Sequence, residues 1–365
     1  MPGQRTARVP PAWLIRPLLA VRNGIAGVHR GMVPPEVVLL ETTLGVIDTK
    51  TLGVVAELGV ADQLAVGPMT GDALGAACSA DADALTRVLR YLVSRGFFRT
   101  TRDGRFRNNK RSELLRDLDG SARAWARFIG ADWHVDIWNH LEHSVRTGGA
   151  ATEVALGRPF WEYLTEVNPA AGAVFDEAME SASAVQMGVV ARKYDWSACT
   201  RVCDVGGGTG TLLSAILAPQ EYLRGVLFDL PTVVAKSGPV LEAAGVADRV
   251  EVIGGDFFAA VPEGCDRYVL QAIVHDWDDE SCVRFLSNCR DAMAPGGRVL
   301  VLEFTMPEHD GAHFAKSTDL EMLVDTGAGR ERTRAEFDAL FARAGLRVRK
   351  VIPIVLTAMF ELEAA

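Results

Sequence analysis

Residues 201–217 read RVCDVGGGTGTLLSAIL. A short β-rich run leads into four glycines, at positions 206, 207, 208 and 210, and an apolar run typical of a helix follows. Glycine allows a sharp turn and lets a ligand approach the backbone where a Cβ would block it. The free N–H groups at the start of the helix then suit a negative group. We predict a strand, a ligand-binding glycine loop and a helix; a tight turn without ligand is the alternative.

Further β-rich runs follow the glycine loop along the chain. With the first run they form a set of five strand candidates, at 201–205, 225–229, 249–252, 266–271 and 298–303. The segments between them are long enough for crossover helices, which favours parallel βαβ units. The pattern predicts an α/β fold with a doubly wound parallel sheet.

Two nucleotide-binding motifs are missing from the glycine loop, and their absence limits the classes of ligand it could bind. A dinucleotide fingerprint would need glycine at position 211 or 213, where the chain has Thr211 and Leu213, and the P-loop Lys-Ser/Thr pair is missing. Asp204 stands just ahead of Gly206 and Gly208, and its anionic side chain suits a cationic ligand. S-adenosylmethionine matches, because its ammonium can bond acidic and carbonyl groups while its carboxylate faces the amides.

Acidic residues also stand at the ends of the next two strands. A carboxylate at Asp229 can accept both hydroxyls of a ribose, although the residue also suits a helix N-cap before Pro231. Asp256 and Phe257 follow the third strand, where a carboxylate beside an aromatic ring can bond the amino group of adenine and cover its face. The stretch 255–257 would as readily be a plain turn if it stood alone. Together, in this order, they indicate a nucleoside site.

The N-terminal half has a sequence pattern typical of helices rather than of alternating strands and helices. Residues 36–147 are mainly helical by their apolar spacing, and 81–98 predicts a helix followed by a short hairpin. This winged-helix pattern serves dimerisation as readily as DNA binding. The expected domains are an N-terminal arm at 1–35, a helical winged-helix domain at 36–147, a helical connector at 148–199 and a cofactor-binding domain at 200–365.

Composition excludes several function classes. The chain of 365 residues has a net charge of −9, so it repels phosphate backbones and anionic membrane surfaces. A local excess of Lys and Arg at 81–127 is the exception, and we assign it to solvated surface or a charged partner interface rather than to nucleic acid. The six cysteines form no C-x-x-C pair, and no apolar run approaches the length of a membrane span. A cytoplasmic protein without a metal, a nucleic-acid partner or a membrane partner is expected.

The ordered motifs resemble a known family, the class I S-adenosylmethionine-dependent small-molecule O-methyltransferases of the caffeate, hydroxyindole and anthracycline type. The matching motifs are VGGGTG at 205–210, DLP at 229–231, GDFF at 255–258, HDWDDE at 275–280, APGG at 294–297 and GRERT at 329–333. The resemblance implies a Rossmann-like catalytic domain and an N-terminal domain that forms a homodimer and does not bind DNA. One departure is Gln271, where plant members often carry lysine.

The resemblance also implies roles for single residues around the cofactor. Asp204, Gly206 and Gly208 would hold the methionine part, and Asp229 would hold the ribose. Trp277 would line the adenine side together with Asp256 and Phe257, and Ser183 would contribute to the cofactor wall.

The implied catalytic residues are His275 as general base and Glu303 and Glu331 as the acids that flank it. A neighbouring carboxylate can raise the pKa of an imidazole above its usual value of about 6.5 and fix its tautomer. Met179 would contribute to the substrate wall, and Met322 and Thr326 would lie on a substrate-facing segment.

The acceptor side is less specific. Trp133 and Phe175 belong to a set of aromatic residues in helical connectors that could line a cavity for a flat aromatic acceptor, although such residues are more often plain core. We expect methyl transfer to a hydroxyl, phenolic by preference, of a specialised small molecule. The alternatives are hydroxylation, decarboxylation or a pericyclic step on a polyketide-like substrate with the same cofactor, or a cofactor-sensing DNA-binding regulator.

Overall fold

The computed structural model describes residues 12–118, 121–354 and 356–365. The chain divides into two compact units, and neither is continuous in sequence. The sheet unit consists of Leu141–Ala151 and Ala184–Ala365 with the described part of Met1–Asn23, and the helical unit consists of Gly24–His140 and Thr152–Ser183. The predicted connector at 148–199 is thus shared between the two units, and the domain bounds expected from sequence stay predictions.

The α-helices are α1 Ala12–Gly31, α2 Pro35–Thr43, α3 Gly45–Glu57, α4 Val60–Gln63, α5 Gly71–Ala77, α6 Ala82–Ser94, α7 Arg123–Gly130, α8 Asp132–Asn139, α9 Leu141–Thr147, α10 Ala151–Leu156, α11 Phe160–Glu162, α12 Pro169–Lys193, α13 Thr211–Leu217, α14 Pro231–Val234, α15 Gly238–Ala243, α16 Asp279–Ala292, α17 Phe314–Asp325 and α18 Arg334–Arg343. Short 3₁₀ turns lie at Leu64–Val66, Ser112–Leu115, Trp196–Ala198, Ala247–Arg249 and Val274–Asp276, and Tyr163–Val167 is a π turn. Among the described residues, no helix is long and apolar enough to cross a membrane.

The strands are β1 Arg99–Thr100, β2 Phe106–Arg107, β3 Arg201–Val205, β4 Arg224–Asp229, β5 Val250–Gly254, β6 Cys265–Gln271, β7 Met293–Glu303, β8 Leu346–Pro353 and β9 Ala358–Ala364. Seven of them form one sheet in the order β5-β4-β3-β6-β7-β9-β8. The first five in that order are parallel, and β9 runs antiparallel to both β7 and β8.

Two apolar layers cover the faces of this sheet. Val202 of β3 belongs to a buried cluster with α13 and α15, whereas its neighbour Cys203 belongs to a second cluster with α16 and α18. Successive strand residues point to opposite faces, so both sets of side chains are removed from water. The predicted α/β fold with a doubly wound, Rossmann-like sheet is confirmed.

The antiparallel pair β8 and β9 was not predicted. Charged residues alternate with apolar ones along both strands, and Arg349 pairs with Glu361 across them at 3.0 Å. This alternation is typical of a sheet edge with a solvated face. Charged residues and Pro353 interrupt the β-rich runs in this part of the chain, which explains the omission.

The helical unit contains the expected helix and hairpin. Asp81 caps α6 by accepting a hydrogen bond from the backbone N–H of Ala84, and the buried face of α6 carries Leu85, Leu89 and Leu92. The spacing of these leucines by three and four residues places them on one side of the helix. The hairpin strands β1 and β2 pair antiparallel just after α6. A mainly helical N-terminal region is confirmed.

Candidate active site

The sheet unit gathers the predicted site residues at one edge of the sheet. Asp204, Asp229 and Glu303 lie at the carboxyl ends of β3, β4 and β7, and His275 follows β6 in a 3₁₀ turn. Strand β3 pairs with β6, and the chain order reverses between these two strands. Ligands of open α/β sheets bind at such a switch point, outside the carboxyl ends of the strands.

The glycine loop is held against the next strand. The N–H of Gly206 donates to the carbonyl of Phe228 at 2.8 Å, and the N–H of Gly208 donates to Asp229 Oδ2 at 2.9 Å. Gly206 and Gly208 both have left-handed φ, +68° and +58°, which favours glycine. A Cβ added at Gly208 would meet nothing within 4 Å, so the loop borders open space at this position.

Asp204 lies beneath the loop as a buried carboxyl group. It is 1% exposed, and its Oδ2 has no hydrogen-bond partner among the described residues. Burial, with the negative charge of Asp229, raises the pKa of Asp204 to about 7. A buried carboxylate oxygen without a partner is costly unless a cation or a hydrogen-bond donor compensates it. The unpartnered Oδ2 is an acceptor and therefore fits the ammonium of S-adenosylmethionine, and the open space at Gly208 fits close approach of the ligand.

The predicted adenine side forms an aromatic group. The rings of Phe257 and Trp277 meet edge to face with centroids 6.1 Å apart, and Phe258 packs against both. Asp256 is exposed and accepts a hydrogen bond from the N–H of Phe258 at 2.8 Å, so part of its carboxylate stabilises the turn. The structure brings Phe257 and Trp277 together, and the role of Asp256 toward adenine stays a prediction.

His275 lies among three carboxylates. Its Nδ1 is 3.1 Å from Glu331 Oε1 and 3.6 Å from Glu303 Oε2, and its Nε2 is 3.5 Å from Asp276 Oδ1. Burial acts to lower the pKa of His275, but the negative charges of Glu303, Asp276 and Glu331 outweigh it and raise the pKa to about 10. Because Glu331 is a hydrogen-bond acceptor for Nδ1, Nε2 is the atom left to take up a proton.

Backbone hydrogen bonds orient the two acids. Glu303 Oε1 accepts from the N–H groups of Ile273 and Val274 at 3.0 and 2.7 Å, which leaves Oε2 facing the imidazole. Burial raises the pKa of Glu303 to about 7. The N–H of Glu331 donates to Asp319 Oδ1 at 2.8 Å, so helix α17 fixes the backbone that carries this second acid.

The same three side chains have a spacing that a metal ion could use. Ligand atoms of His275, Glu303 and Glu331 lie within 4.8 Å of one another. The direct contact between Nδ1 and Glu331, however, already gives the imidazole a partner. Absence of a metal in the working enzyme stays a prediction.

The predicted substrate-facing segment at the end of α17 lies close to His275. Thr326 Oγ1 donates to the carbonyl of Met322 and accepts from the N–H of Gly329. A Cβ added at Gly329 would stand 2.5 Å from the carbonyl oxygen of His275. Met322 and Thr326 are thus bonded to the segment of Gly329, and Gly329 packs against residues 274–277, which we define as the histidine turn.

The predicted acceptor residues of the helical unit form an aromatic cluster of their own. Phe175 meets Phe160 at a ring-centroid distance of 5.4 Å, and Trp133 lies 6.5 Å from Phe160. Trp133, Phe175 and Met179 are partly buried and pack against the buried cluster that contains Phe128. Such mutual packing fits core as well as a pocket wall, so their contact with an acceptor stays a prediction. The side chain of Ser183 lies outside the described residues.

One buried residue at the site was missed in the sequence. Arg332 is 0% exposed, and its guanidinium contacts backbone carbonyls of the histidine turn. It stands in the GRERT motif, but its partners lie more than fifty positions earlier in the chain. The Arg-Glu-Arg pattern there resembles an exposed charged run, so local sequence gave no signal of burial.

Comparison of the chain with known proteins identifies a family. The O-methyltransferase domain model matches residues 138–347, and the O-methyltransferase dimerisation domain model matches residues 40–117. The chain is 40% identical to the mitomycin biosynthesis 6-O-methyltransferase of Streptomyces lavendulae, over 85% of this chain and 88% of that protein.

Two further relatives bear on the chemistry. The crystal structure of the O-methyltransferase NcsB1 from neocarzinostatin biosynthesis, in complex with S-adenosylmethionine and 2-hydroxy-5-methyl naphthoic acid, superposes with a TM-score of 0.76 at 37% identity, over 87% of this chain and 96% of that one. The chain is also 37% identical to the aclacinomycin 10-hydroxylase RdmB of Streptomyces purpurascens, over 85% of this chain and 84% of that protein.

Proposed function

This chain belongs to the S-adenosylmethionine-dependent O-methyltransferase family, and from that premise we propose that it methylates a hydroxyl of an aromatic specialised metabolite with His275 as general base. The observation that carries the proposal is the imidazole held at Nδ1 by Glu331 and flanked by Glu303, with Nε2 left to accept a proton. It lies at the same sheet edge as the glycine loop and Asp204.

Different residues of the site bind the cofactor and remove the proton from the acceptor. When bound, S-adenosylmethionine supplies a methyl group that is already activated by the positive sulfur. Asp204 would pair with the ammonium, and the glycine loop would let the ligand lie against its backbone. His275 takes the acceptor's hydroxyl proton at Nε2, while Glu331 and Glu303 stabilise the imidazolium that results. Positioning of the acceptor hydroxyl against the activated methyl group would supply the rest of the acceleration.

An aromatic acceptor is favoured by the side chains and by the relatives. Trp133, Phe175 and Met179 offer flat and adaptable apolar surface, and NcsB1 was crystallised with a hydroxynaphthoic acid. The assignment predicts S-adenosylhomocysteine when the protein, methyl-labelled cofactor and a panel of phenols, 2-hydroxy-5-methyl naphthoic acid included, are incubated together. No S-adenosylhomocysteine with any phenol of the panel, while related amines or carboxylates yield it, would overturn hydroxyl methylation.

A second candidate function is hydroxylation with the same cofactor, because a hydroxylase is among the relatives at 37% identity. The carboxylate-held histidine favours methyl transfer, since removal of a hydroxyl proton is the step that needs a base. Membership of the methyltransferase family likewise favours an enzyme over a DNA-binding regulator.

The pH dependence of the reaction follows from the charges around His275. Its pKa is raised to about 10, so the imidazole holds a proton below that pH and becomes a free base as pH rises. We expect kcat/KM to increase with pH from neutral into the alkaline range. Glu331→Gln removes one of the charges that raise the pKa of His275, and should move the midpoint of the rise to lower pH.

The measurement is a pH–rate profile of both proteins under conditions where the chemical step limits the rate. A lower plateau is expected in the variant, because the amide orients the imidazole less well. A midpoint that stays unchanged or moves upward in Glu331→Gln would show that the base is a different group.

We further propose a homodimer through the helical unit. Residues 40–117 match the dimerisation domain, and several apolar side chains of α2 and α3 are exposed, among them Leu39 and Leu40 at 65% and 63%. Exposed apolar patches of this kind mark interfaces. The double substitution Leu39→Asp with Leu40→Asp should convert a dimer to a monomer in size-exclusion chromatography with light scattering. Val145→Asp, at an exposed apolar position of α9, is the control that should stay dimeric.

A further inference from the structure

Arg332 is a buried cation bonded to the backbone of the histidine turn. Its Nη1 donates to the carbonyl of Val274 at 2.8 Å, and its Nη2 donates to the carbonyl of Trp277 at 2.8 Å. These two carbonyls bracket His275 and Asp276. A guanidinium is a rigid planar fork, so it fixes the spacing between the carbonyls it joins.

The guanidinium of Arg332 also binds a carboxylate at the N-terminus of helix α16. Arg332 Nε and Nη2 donate to Asp279 Oδ1 at 3.0 and 2.8 Å, and Asp279 is the first residue of α16. Arg330 and Arg343 reach the same carboxylate at 3.4 and 3.6 Å but are half exposed. Arg332 differs from them because it is fully buried and contacts the turn.

The residues next to Arg332 contact both the side chain and the backbone of His275. Glu331, one residue earlier, contacts the imidazole at Nδ1, and the N–H of Arg330 donates to the carbonyl of His275 at 2.8 Å. Arg330 and Glu331 therefore bind the backbone and the side chain of His275, while Arg332 binds the turn on either side of it. A shift of the turn relative to Glu331 would change the direction of Nε2 as well as the contact at Nδ1.

We propose that Arg332 is a positioning residue, which holds the histidine turn so that the imidazole of His275 meets both Glu331 and the reacting hydroxyl. This inference rests on the proposed function, because it needs His275 to be the base. Arg332 acts through the turn, and nothing in its contacts requires it to touch the acceptor.

The test is Arg332→Lys. Lysine keeps the positive charge, but its ammonium donates from one point and cannot span the two carbonyls and Asp279 together. Because small misplacements of reacting groups are costly, we expect kcat to fall about tenfold to a hundredfold. The affinity for S-adenosylhomocysteine, measured by calorimetry on the same folded protein, should change much less. The downfield imidazole N–H resonance, assigned by its loss in His275→Ala, should shift or broaden.

The matched control is Arg343→Lys, which alters another cation beside Asp279 without touching the histidine turn. It should keep the kcat and the imidazole resonance of the unmodified protein. Asp279→Asn is the second variant, because it leaves Arg332 in place and weakens its anchor at a partly exposed position. Asp279→Asn should also lower kcat, by a smaller factor than Arg332→Lys.

Two results would overturn the proposal. One is an Arg332→Lys protein, or an Asp279→Asn protein if the first does not fold, that retains full kcat and an unshifted imidazole resonance. The other is a loss of activity that only matches the loss of folded protein, which would indicate a purely structural role. Full turnover in both Arg332→Lys and His275→Ala would show that His275 is not the general base, and the proposed function would fail as well. Full turnover in Arg332→Lys alone would overturn only the positioning role of Arg332.

Discussion

His275→Ala should lower kcat by about 10²–10⁴-fold, the usual contribution of a positioned general base. The loss falls on kcat because the imidazole contacts Glu331 and Glu303 rather than the glycine loop that is expected to hold the cofactor. Affinity for S-adenosylhomocysteine should therefore be retained. The measurement is the initial rate of S-adenosylhomocysteine formation at saturating cofactor and acceptor.

The control for this substitution is His309→Ala, which removes an exposed histidine of the same unit. It should leave kcat unchanged. Full turnover in His275→Ala, with correct folding, would mean that proximity alone drives the reaction or that Asp276 or another group is the base.

Gly208→Leu should lower the affinity for S-adenosylmethionine by about 100-fold, equivalent to about 2.8 kcal/mol. A side chain at Gly208 enters the open space that the loop borders, where the backbone is expected to approach the cofactor. The φ of +58° also strains any residue other than glycine, so thermal stability should fall as well. Calorimetric titration with the cofactor measures the binding loss directly.

The chain offers a matched control for this strain. Gly245 has a φ of +67° and likewise meets nothing within 4 Å of an added Cβ, but it follows the C-cap of helix α15 and is not part of the glycine loop. Gly245→Leu should lower thermal stability by a similar amount and leave cofactor affinity intact. Equal affinity losses in the two variants would mean that backbone strain, and not occupancy of the site, weakens binding.

The features predicted best from the sequence were those in which local sequence carries the constraint. The glycines at 206, 208 and 210 are required by left-handed φ, and β3 and β6 carry short runs of β-favouring residues, Val202-Cys203 and Tyr268-Val269-Leu270. The cluster around His275 could be expected only through its resemblance to a family, because Glu303 and Glu331 lie 28 and 56 positions away. The fold brings them together through strand order, which no local pattern contains.

The features that escaped prediction depend on partners distant in sequence. Arg332 looks exposed by composition and is buried because two carbonyls and Asp279 bind it. Asp319 looks like a helix surface residue, yet it accepts a hydrogen bond from the backbone of Glu331. The size of the pKa shift at His275 follows from three carboxylates whose convergence only the fold determines.

Transfer of a methyl group to oxygen is tested most directly by turnover with S-adenosylmethionine labelled with a trideuteromethyl group, followed by mass spectrometry and NMR of the modified acceptor. We expect the intact label on a former hydroxyl oxygen, with one equivalent of S-adenosylhomocysteine, and loss of both in His275→Ala. A product that has gained oxygen without the label, or that carries the label on nitrogen, would contradict hydroxyl methylation by this site.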